Sequence, residues 1–338
     1  MIVWTDLKHF KKSSKAPLVV ALGNFDGVHS GHQKILRTVI ERTKKIEGAA
    51  SVLTFAEHPQ RVLHPSSEPR LLTSTQHRLF LFQQLKIESC FLLHFTLGFA
   101  QTDAETFVRD WLVEKLGVRE IHLGYNAHFG NDRKGDVQMM TRLAKELGFE
   151  FHEASPVKVG GEYVSSSLIR KAIEEGDLLR AAQFLGRPFS IFASVVRGKA
   201  RGKGLGFPTA NLRPHSEILP PRGVYPVEVR ESNFHMKKTK TKGQLIFISE
   251  KLGKWRKGIL NYGVRPTFEK NNLEVPEVFL FDYSGDLYGK TLEVIFHPQL
   301  RDEKTFKGAA ELVKAIEEDI SNAQRYFSQT AKKPLQAH

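Results

Sequence analysis

Five short apolar runs punctuate the first half of the chain, at Leu18 to Gly23, Ala49 to Phe55, Ser89 to Phe95, Arg119 to Gly124 and Phe149 to Ala154. Each has the length of a buried strand, and the segments between them repeat at helical spacing instead. Ile35, Leu36, Val39 and Ile40 fall on one face of the first such segment. A second opens with a capping-box pattern, Thr102 followed by Glu105, and sets Phe107, Val108, Trp111 and Leu112 on its core face. Strands alternating with helices predict an α/β domain with a doubly wound parallel sheet, in which ligands bind beyond the carboxyl ends of the strands.

The texture changes after Leu185-Gly186-Arg187-Pro188. Short β-type runs at Ile191 to Val196, Val224 to Val229, Gln244 to Ile248, Val278 to Phe281 and Leu292 to Phe296 are separated by Gly, Pro and Lys, which predicts an antiparallel barrel or sandwich. A closing helix carries Leu312, Ile316, Ile320, Ala323 and Phe327 on its apolar face. The expected organisation is therefore 1–186, 187–330 and a flexible tail at 331–338, with no internal repeat.

Composition adds limits. With 338 residues, 41% hydrophobic and 26% charged, the chain has the balance of a soluble protein too long for one ordinary core. No apolar run approaches the roughly 18 residues of a membrane span, and Met1 to Lys15 has no hydrophobic signal core, so a cytoplasmic protein without membrane association is expected. Cys90 lies in an apolar run and reads as a buried strand residue, with a reactive thiol as the alternative. The net charge of +13 suits nucleic acid or small anionic substrates alike. Its densest clusters, Lys237, Lys238, Lys240 and Lys242, then Lys251, Lys254, Arg256 and Lys257, include one aromatic ring, Trp255. Solvated hairpin ends explain them more simply than an RNA surface, which interleaves stacking rings with its cations. No nucleic-acid partner is expected.

Three segments carry chemistry. Gly23-Asn24-Phe25-Asp26-Gly27-Val28-His29-Ser30-Gly31-His32 joins a strand to a helix, so free backbone N–H groups and the positive end of a helix dipole meet where an anion can sit. His29 and His32 add side-chain donors that can stabilise charge on a phosphate in the transition state, and Gly27 and Gly31 allow close approach. Alone, the segment is equally well a turn that holds two histidines. Asp26 either orients a histidine or a ribose, or caps the turn. Ser165-Ser166-Ser167 opens a helix with Arg170 one turn in, a set able to hold phosphate oxygens, although a serine run there is usually only a cap. The third segment, Gly202-Lys203-Gly204-Leu205-Gly206-Phe207-Pro208-Thr209-Ala210-Asn211, combines a glycine-rich loop with oxygen donors suited to a hard cation.

The histidine and serine segments together resemble the nucleotidyltransferase superfamily, and Gly202 to Asn211 resembles the riboflavin kinase motif. Gly258 to Phe268, Glu277, Phe281-Asp282, Asp286-Leu287-Tyr288-Gly289 and Leu300-Arg301 follow in that family's order. From about Leu18 to Phe327 the chain is similar to the prokaryotic bifunctional riboflavin kinase/FAD synthetases. The resemblance implies that the second half phosphorylates riboflavin with ATP to FMN, and that the first joins FMN to the AMP part of a second ATP, giving FAD and pyrophosphate. It implies Glu277 as general base, Thr209 and Asn211 as ligands of Mg²⁺, and ATP contacts at Gly198, Gly202, Lys203, Gly206, Pro208, Thr209 and Asn211. Arg301 and Phe306 become flavin candidates. In the first half it implies His29, His32 and Arg170 at the reacting phosphates, with Gly23, Asn24, Phe25, Asp26, Gly27, Gly31, Ser165, Ser166 and Ser167 around them. His58, Pro59, Asn126 and Ala127 are the flavin candidates there. Partners are then small molecules, and the chain a monomer or weakly self-associating.

Departures from the family pattern are Ala127 in place of a ring, Ala56-Glu57 for Glu-Pro, Ser167 for Thr, Lys203 for Arg, Phe279 for His, and a long 230–257 segment. They keep open a riboflavin kinase whose first half is degenerate or regulatory. A basic nucleic-acid-binding protein is the remaining alternative, and it would bind RNA or DNA with steep salt dependence.

Overall fold

Each of the five apolar runs of the first half forms a strand, with ends that move by one or two residues. The computed structural model describes residues 1–10, 16–67, 69–197, 206–215, 218–263 and 276–330. Contacts divide the chain into two units: Met1–Leu71, Thr75–Ser165 and Phe234–Ile248 in one, Leu72–Ser74, Ser166–Asn233 and Ser249–His338 in the other.

The first unit contains β1 (Ile2–Trp4), β2 (Leu18–Leu22), α1 (Ser30–Ile46), β3 (Ala49–Phe55), α2 (Pro59–Leu63), α3 (Thr75–Gln84), β4 (Ser89–Leu93), α4 (Leu97–Ala100), α5 (Ala104–Thr106), β5 (Val118–Gly124), α6 (Val137–Leu147), β6 (Glu150–Ala154), β7 (Lys158–Val159) and β8 (Glu162–Tyr163). Every residue of β2 is buried, as befits a strand covered on both faces. α1 buries Ile35, Leu36 and Val39 and leaves Lys34 and Arg37 in water. Its predicted stripe is the face that packs. The next predicted helix differs at its start: Asp103, not Thr102, is the cap, its carboxylate accepting from the N–H groups of Glu105 and Thr106 at 3.0 and 3.1 Å. Glu105 is occupied elsewhere, by Arg109 and Arg142. From Phe107 to Lys115 the helix widens to π-type turns.

The second unit holds α7 (Ser166–Glu174), α8 (Leu178–Leu185), β9 (Ser190–Val196), β10 (Ala210–Pro214) and β11 (Gly223–Glu231). After β12 (Phe234–Lys238) and β13 (Gln244–Ser249) it continues with β14 (Arg256–Tyr262), β15 (Glu277–Leu280), β16 (Thr291–Phe296), β17 (Arg301–Asp302) and α9 (Ala309–Thr330). The order β14-β15-β10-β9-β16-β11 returns to β14 by a further pairing, and every neighbour is antiparallel. This is a closed barrel, the form that leaves no sheet edge unpaired. α9 sets Ala323 and Phe327 against Val224 and Ile259.

One strand went elsewhere than expected. Gln244 to Ile248 does not enter the barrel; β13 lies antiparallel to β1, with Ile2 opposite Ile246 and Val3 opposite Leu245. The first unit's sheet thus runs β12-β13-β1-β4-β3-β2-β5-β6, and its β1 to β6 pairs are all parallel. The lysines of this segment, Lys237, Lys238, Lys240 and Lys242, are exposed as expected of a hairpin. Cys90 is fully buried in β4, where burial pushes its thiol up to about 12 and removes any thiolate at neutral pH. Among the described residues no helix is long and apolar enough to cross a membrane.

Candidate active sites

The order β3-β2-β5 decides where the first unit can bind a ligand. From β2 the chain crosses to β3 on one side, while β5 lies on the other, so the crevice beyond the carboxyl end of β2 is a topological switch point. Leu22 is in register with Leu53 and with Leu123. Three segments therefore leave the sheet side by side: Gly23 to Val28, Ala56 to Pro59, and Tyr125 to Ala127. The histidine motif and the candidates His58, Pro59, Asn126 and Ala127 come from these three.

Local backbone explains the histidines' placement. Phe25, Gly27 and Val28 have φ of 52°, 79° and 41°, a tight left-handed passage that only glycine adopts without strain. Burial of the Phe25 side chain, edge-on to Phe82 and His32, offsets that cost. The turn delivers His29 to the cap of α1, where Nδ1 accepts from the His32 N–H at 3.3 Å. The two rings stack with centroids 3.5 Å apart. A Cβ on Gly31 would lie 3.2 Å from the His29 ring, so this glycine makes room for the histidine itself. His32 is half-buried as a residue, yet its Nδ1 is enclosed and has no hydrogen-bond partner. Burial, then the charges of His29 and Arg78, hold it well below the ordinary histidine range. At pH 7 the ring is neutral, with one donor and one acceptor nitrogen.

Arg78 on α3 is the principal residue that sequence reasoning missed. Its buried guanidinium donates to the carbonyls of Asn24 and Phe55, both at 2.7 Å, and more weakly to Ala56 at 3.3 Å. Thr54 adds an Oγ1 bond to the Asn24 carbonyl at 3.1 Å. Together they fasten the β2 exit to the β3 exit. Burial lowers the Arg78 pKa while Asp26 foremost opposes that, which leaves a cation beneath the loop. Among the flavin candidates, His58 caps α2 by accepting from the Gln60 N–H at 3.2 Å, with Pro59 as the first helical residue. Asn126 is exposed; Ala127 donates its N–H to the Gly124 carbonyl at 3.0 Å and packs against the core. Ser165 ends the Thr75–Ser165 segment of the first unit, and Ser166, Ser167 and Arg170 lie on α7 of the second.

In the barrel, Glu277 on β15 stands opposite Asn211 of β10 and Asn261 of β14. Residues directly opposite one another share a face, so the three polar side chains form a row across three strands. Thr209 Oγ1 donates to Glu277 Oε2 at 3.2 Å, and Asn211 is buried. A cavity of ≈ 340 Å³ opens beside them, lined by Pro208, Thr209, Ala210, Leu280, Asp286 and Tyr288 among others. Asn261 was not singled out from sequence, because only strand register reveals its neighbours. Thr209, Asn211 and Glu277 supply oxygen ligands only, the donor set for a hard dication. Arg301 grips Asp319 of α9 with both fork nitrogens, at 2.9 and 2.7 Å, and lies over the Phe306 ring at 5.7 Å. Gly206 and Pro208 are exposed at the edge of this region. Gly198, Gly202, Lys203 and the Val264 to Phe268 part of the expected motif lie outside the described residues, as does the 331–338 tail.

Comparison with known proteins gives this pair of sites its context. Residues 11–168 match the FAD synthetase family model and residues 185–327 the riboflavin kinase model. A protein of Bacillus subtilis called bifunctional riboflavin kinase/FMN adenylyltransferase is 33% identical over 329 residues, covering 96% of this chain and 97% of its own. One of the same name from Haemophilus influenzae is 31% identical, covering 91% and 94%. A solved structure titled as a macrolide-efflux protein from Streptococcus pneumoniae superposes with a TM-score of 0.76 at 28% identity, over 95% of this chain and 98% of that one. Identity of 31% and 33% over nearly the full length, with both family models matched in order, shows that the chain belongs to the bifunctional riboflavin kinase/FMN adenylyltransferase family.

Proposed function

We propose that the protein phosphorylates riboflavin to FMN in residues 187–330 and adenylylates FMN to FAD in residues 1–186. The observation that carries this reading is the Thr209–Glu277 hydrogen bond with Asn211 opposite, a preset base and oxygen cluster beside a cavity. In the first reaction Glu277 takes the proton of the ribityl 5′-hydroxyl as its oxygen attacks the γ-phosphorus of ATP, and ADP leaves. Thr209 orients the Glu277 carboxylate. Bound by Thr209 and Asn211, Mg²⁺ would neutralise charge on the ATP phosphates. Arg301 and Phe306 bound the flavin side.

In the second reaction an FMN phosphate oxygen attacks the α-phosphorus of another ATP and pyrophosphate departs. No base is required, because the monoester is already an anion at neutral pH. His29, His32 and the backbone N–H groups of Gly23 to Gly31 stabilise charge on the α-phosphate. Ser165, Ser166, Ser167 and Arg170 receive the pyrophosphate, and His58, Pro59, Asn126 and Ala127 contact the flavin. The reading places the chain in the cytoplasm, acting on small molecules as a monomer or a weak self-associate.

Purified protein incubated with riboflavin, ATP and Mg²⁺ should yield FMN and then FAD on chromatographic separation. FMN that accumulates with no FAD would reduce the first half to a regulatory module.

A further inference from the structure

Within β5 and β6, short of the strand exits that form the first site, lies a group of ionisable side chains that the proposed chemistry does not use. Glu120 is fully buried on β5, and His122, two residues on, shares its face. On β6, Glu150 stands opposite Glu120 and His152 opposite His122. Both histidines aim Nε2 at the same atom, Glu120 Oε1, from 2.7 and 3.2 Å, and their rings stack with centroids 4.8 Å apart. Arg42 of α1 holds the other carboxylate oxygen, Oε2, through Nε and Nη2 at 3.0 and 2.9 Å, and reaches Glu150 at 2.7 Å.

Hydrogen bonding alone satisfies this group poorly. Arg42 Nε also approaches Oε1, at 2.9 Å, so three nitrogens crowd that oxygen and only two of them are placed to hydrogen-bond it. His152 Nε2 is enclosed, and for all its closeness it is not aligned for a hydrogen bond. The three potential ligand atoms, one oxygen and two imidazole nitrogens, lie within 4.8 Å of one another. Imidazole with carboxylate is a ligand set for borderline divalent ions such as Zn²⁺.

We propose that Glu120, His122 and His152 bind a divalent transition-metal ion of the zinc class, with Arg42 orienting the Glu120 carboxylate from outside. Two carboxylates face Arg42, while Arg119 is farther out, 3.6 Å from Glu150, so the group carries no excess positive charge against a dication. Tetrahedral ligation at about 2.0–2.2 Å would need the Glu120 and His122 atoms to part by roughly 0.6–0.9 Å. The half-exposed His152 has room to follow. Such an ion fastens β5 and β6 to each other and, through Glu120 and Arg42, to the far end of the helix that begins beside His29.

The test uses tag-free, metal-stripped full-length protein. Co²⁺ is expected to bind at one equivalent with visible d–d absorption, and Zn²⁺ to displace it and raise the thermal unfolding midpoint by several degrees. His152→Gln should weaken Zn²⁺ binding at least tenfold, and His122→Gln more. His29→Ala combined with His32→Ala should leave metal binding unchanged. Absence of stoichiometric Co²⁺, affinity unaltered in His152→Gln, or loss in the His29/His32 pair would each overturn the site. Circular dichroism checks that the variants fold; His152→Gln alone decides if His122→Gln does not.

Discussion

Glu277 and Thr209 make the sharpest forecast, because a Glu277→Gln substitution keeps the shape and removes the base. FMN formation should fall by about 10²–10⁴-fold while FMN supplied directly is still converted to FAD, as chromatography of the two flavins would reveal. The converse variant, His29→Ala, removes a donor and the α1 cap and should slow FAD formation by about 10²–10³-fold with phosphorylation untouched. Arg78→Met differs from both. It removes the guanidinium donors to the Phe55 and Asn24 carbonyls, leaving Asn24 with the Thr54 hydroxyl, and should destabilise the protein by roughly 2 kcal/mol in denaturant unfolding as well as impair FAD synthesis. As candidates, the histidines, Thr209 and Glu277 were legible in the chain because contiguous motifs or an ordered set of segments carry them. Arg78 was not, since its acceptors are backbone carbonyls that leave no trace in sequence, and it sits among His77, Leu79, Phe80 and Phe82 on a helix buried on most sides.

Strands and helices were legible where burial alone dictates them. β2, β3 and β5 are apolar runs, and α1 shows its packing face. Partner choice was not legible. The Gln244 to Ile248 run has the pattern of any half-buried strand, and nothing in that pattern distinguishes a barrel neighbour from β1. β1 itself, three residues long, is too short to show periodicity. Replacing residues 234–248 with a short Gly-Ser linker removes the buried Phe247 ring and should uncover the β1 edge, lowering the thermal midpoint and promoting aggregation in light scattering. Gly130 joins the Phe129 turn to the helix at Ala104: with φ of 72°, a Cβ there would strike the Ala104 backbone. Gly130→Ala should therefore cost about 1–3 kcal/mol, measurable as a shifted unfolding midpoint.

Acid is the condition that tests the protein as one system. His32 and His122 are held below the ordinary histidine value, chiefly by burial, so each gains a proton when the chain unfolds. Their contribution is complete above about pH 6.5 and fades as pH falls from there toward their folded values. Glu120 acts in the same sense at lower pH: burial raises it, but Arg42 and His122 outweigh that and leave it below the usual range. The unfolding midpoint should therefore drop between pH 7.5 and pH 5.5, and less steeply in His122→Gln. The change in texture near Pro188 announced an antiparallel β half, but the runs left barrel and sandwich open, because β10 and β14 lie outside them and Gln244 to Ile248 pairs with β1 instead. The order in which a ribosome releases this chain meets a different arrangement. β13 lies beyond the first three barrel strands in sequence, yet β1 needs it. The nascent first unit must wait, one edge open, until about residue 250 has emerged. A chain cut near residue 186 would leave its first half permanently short of two strands, with the β1 edge open however well the rest of that half packs.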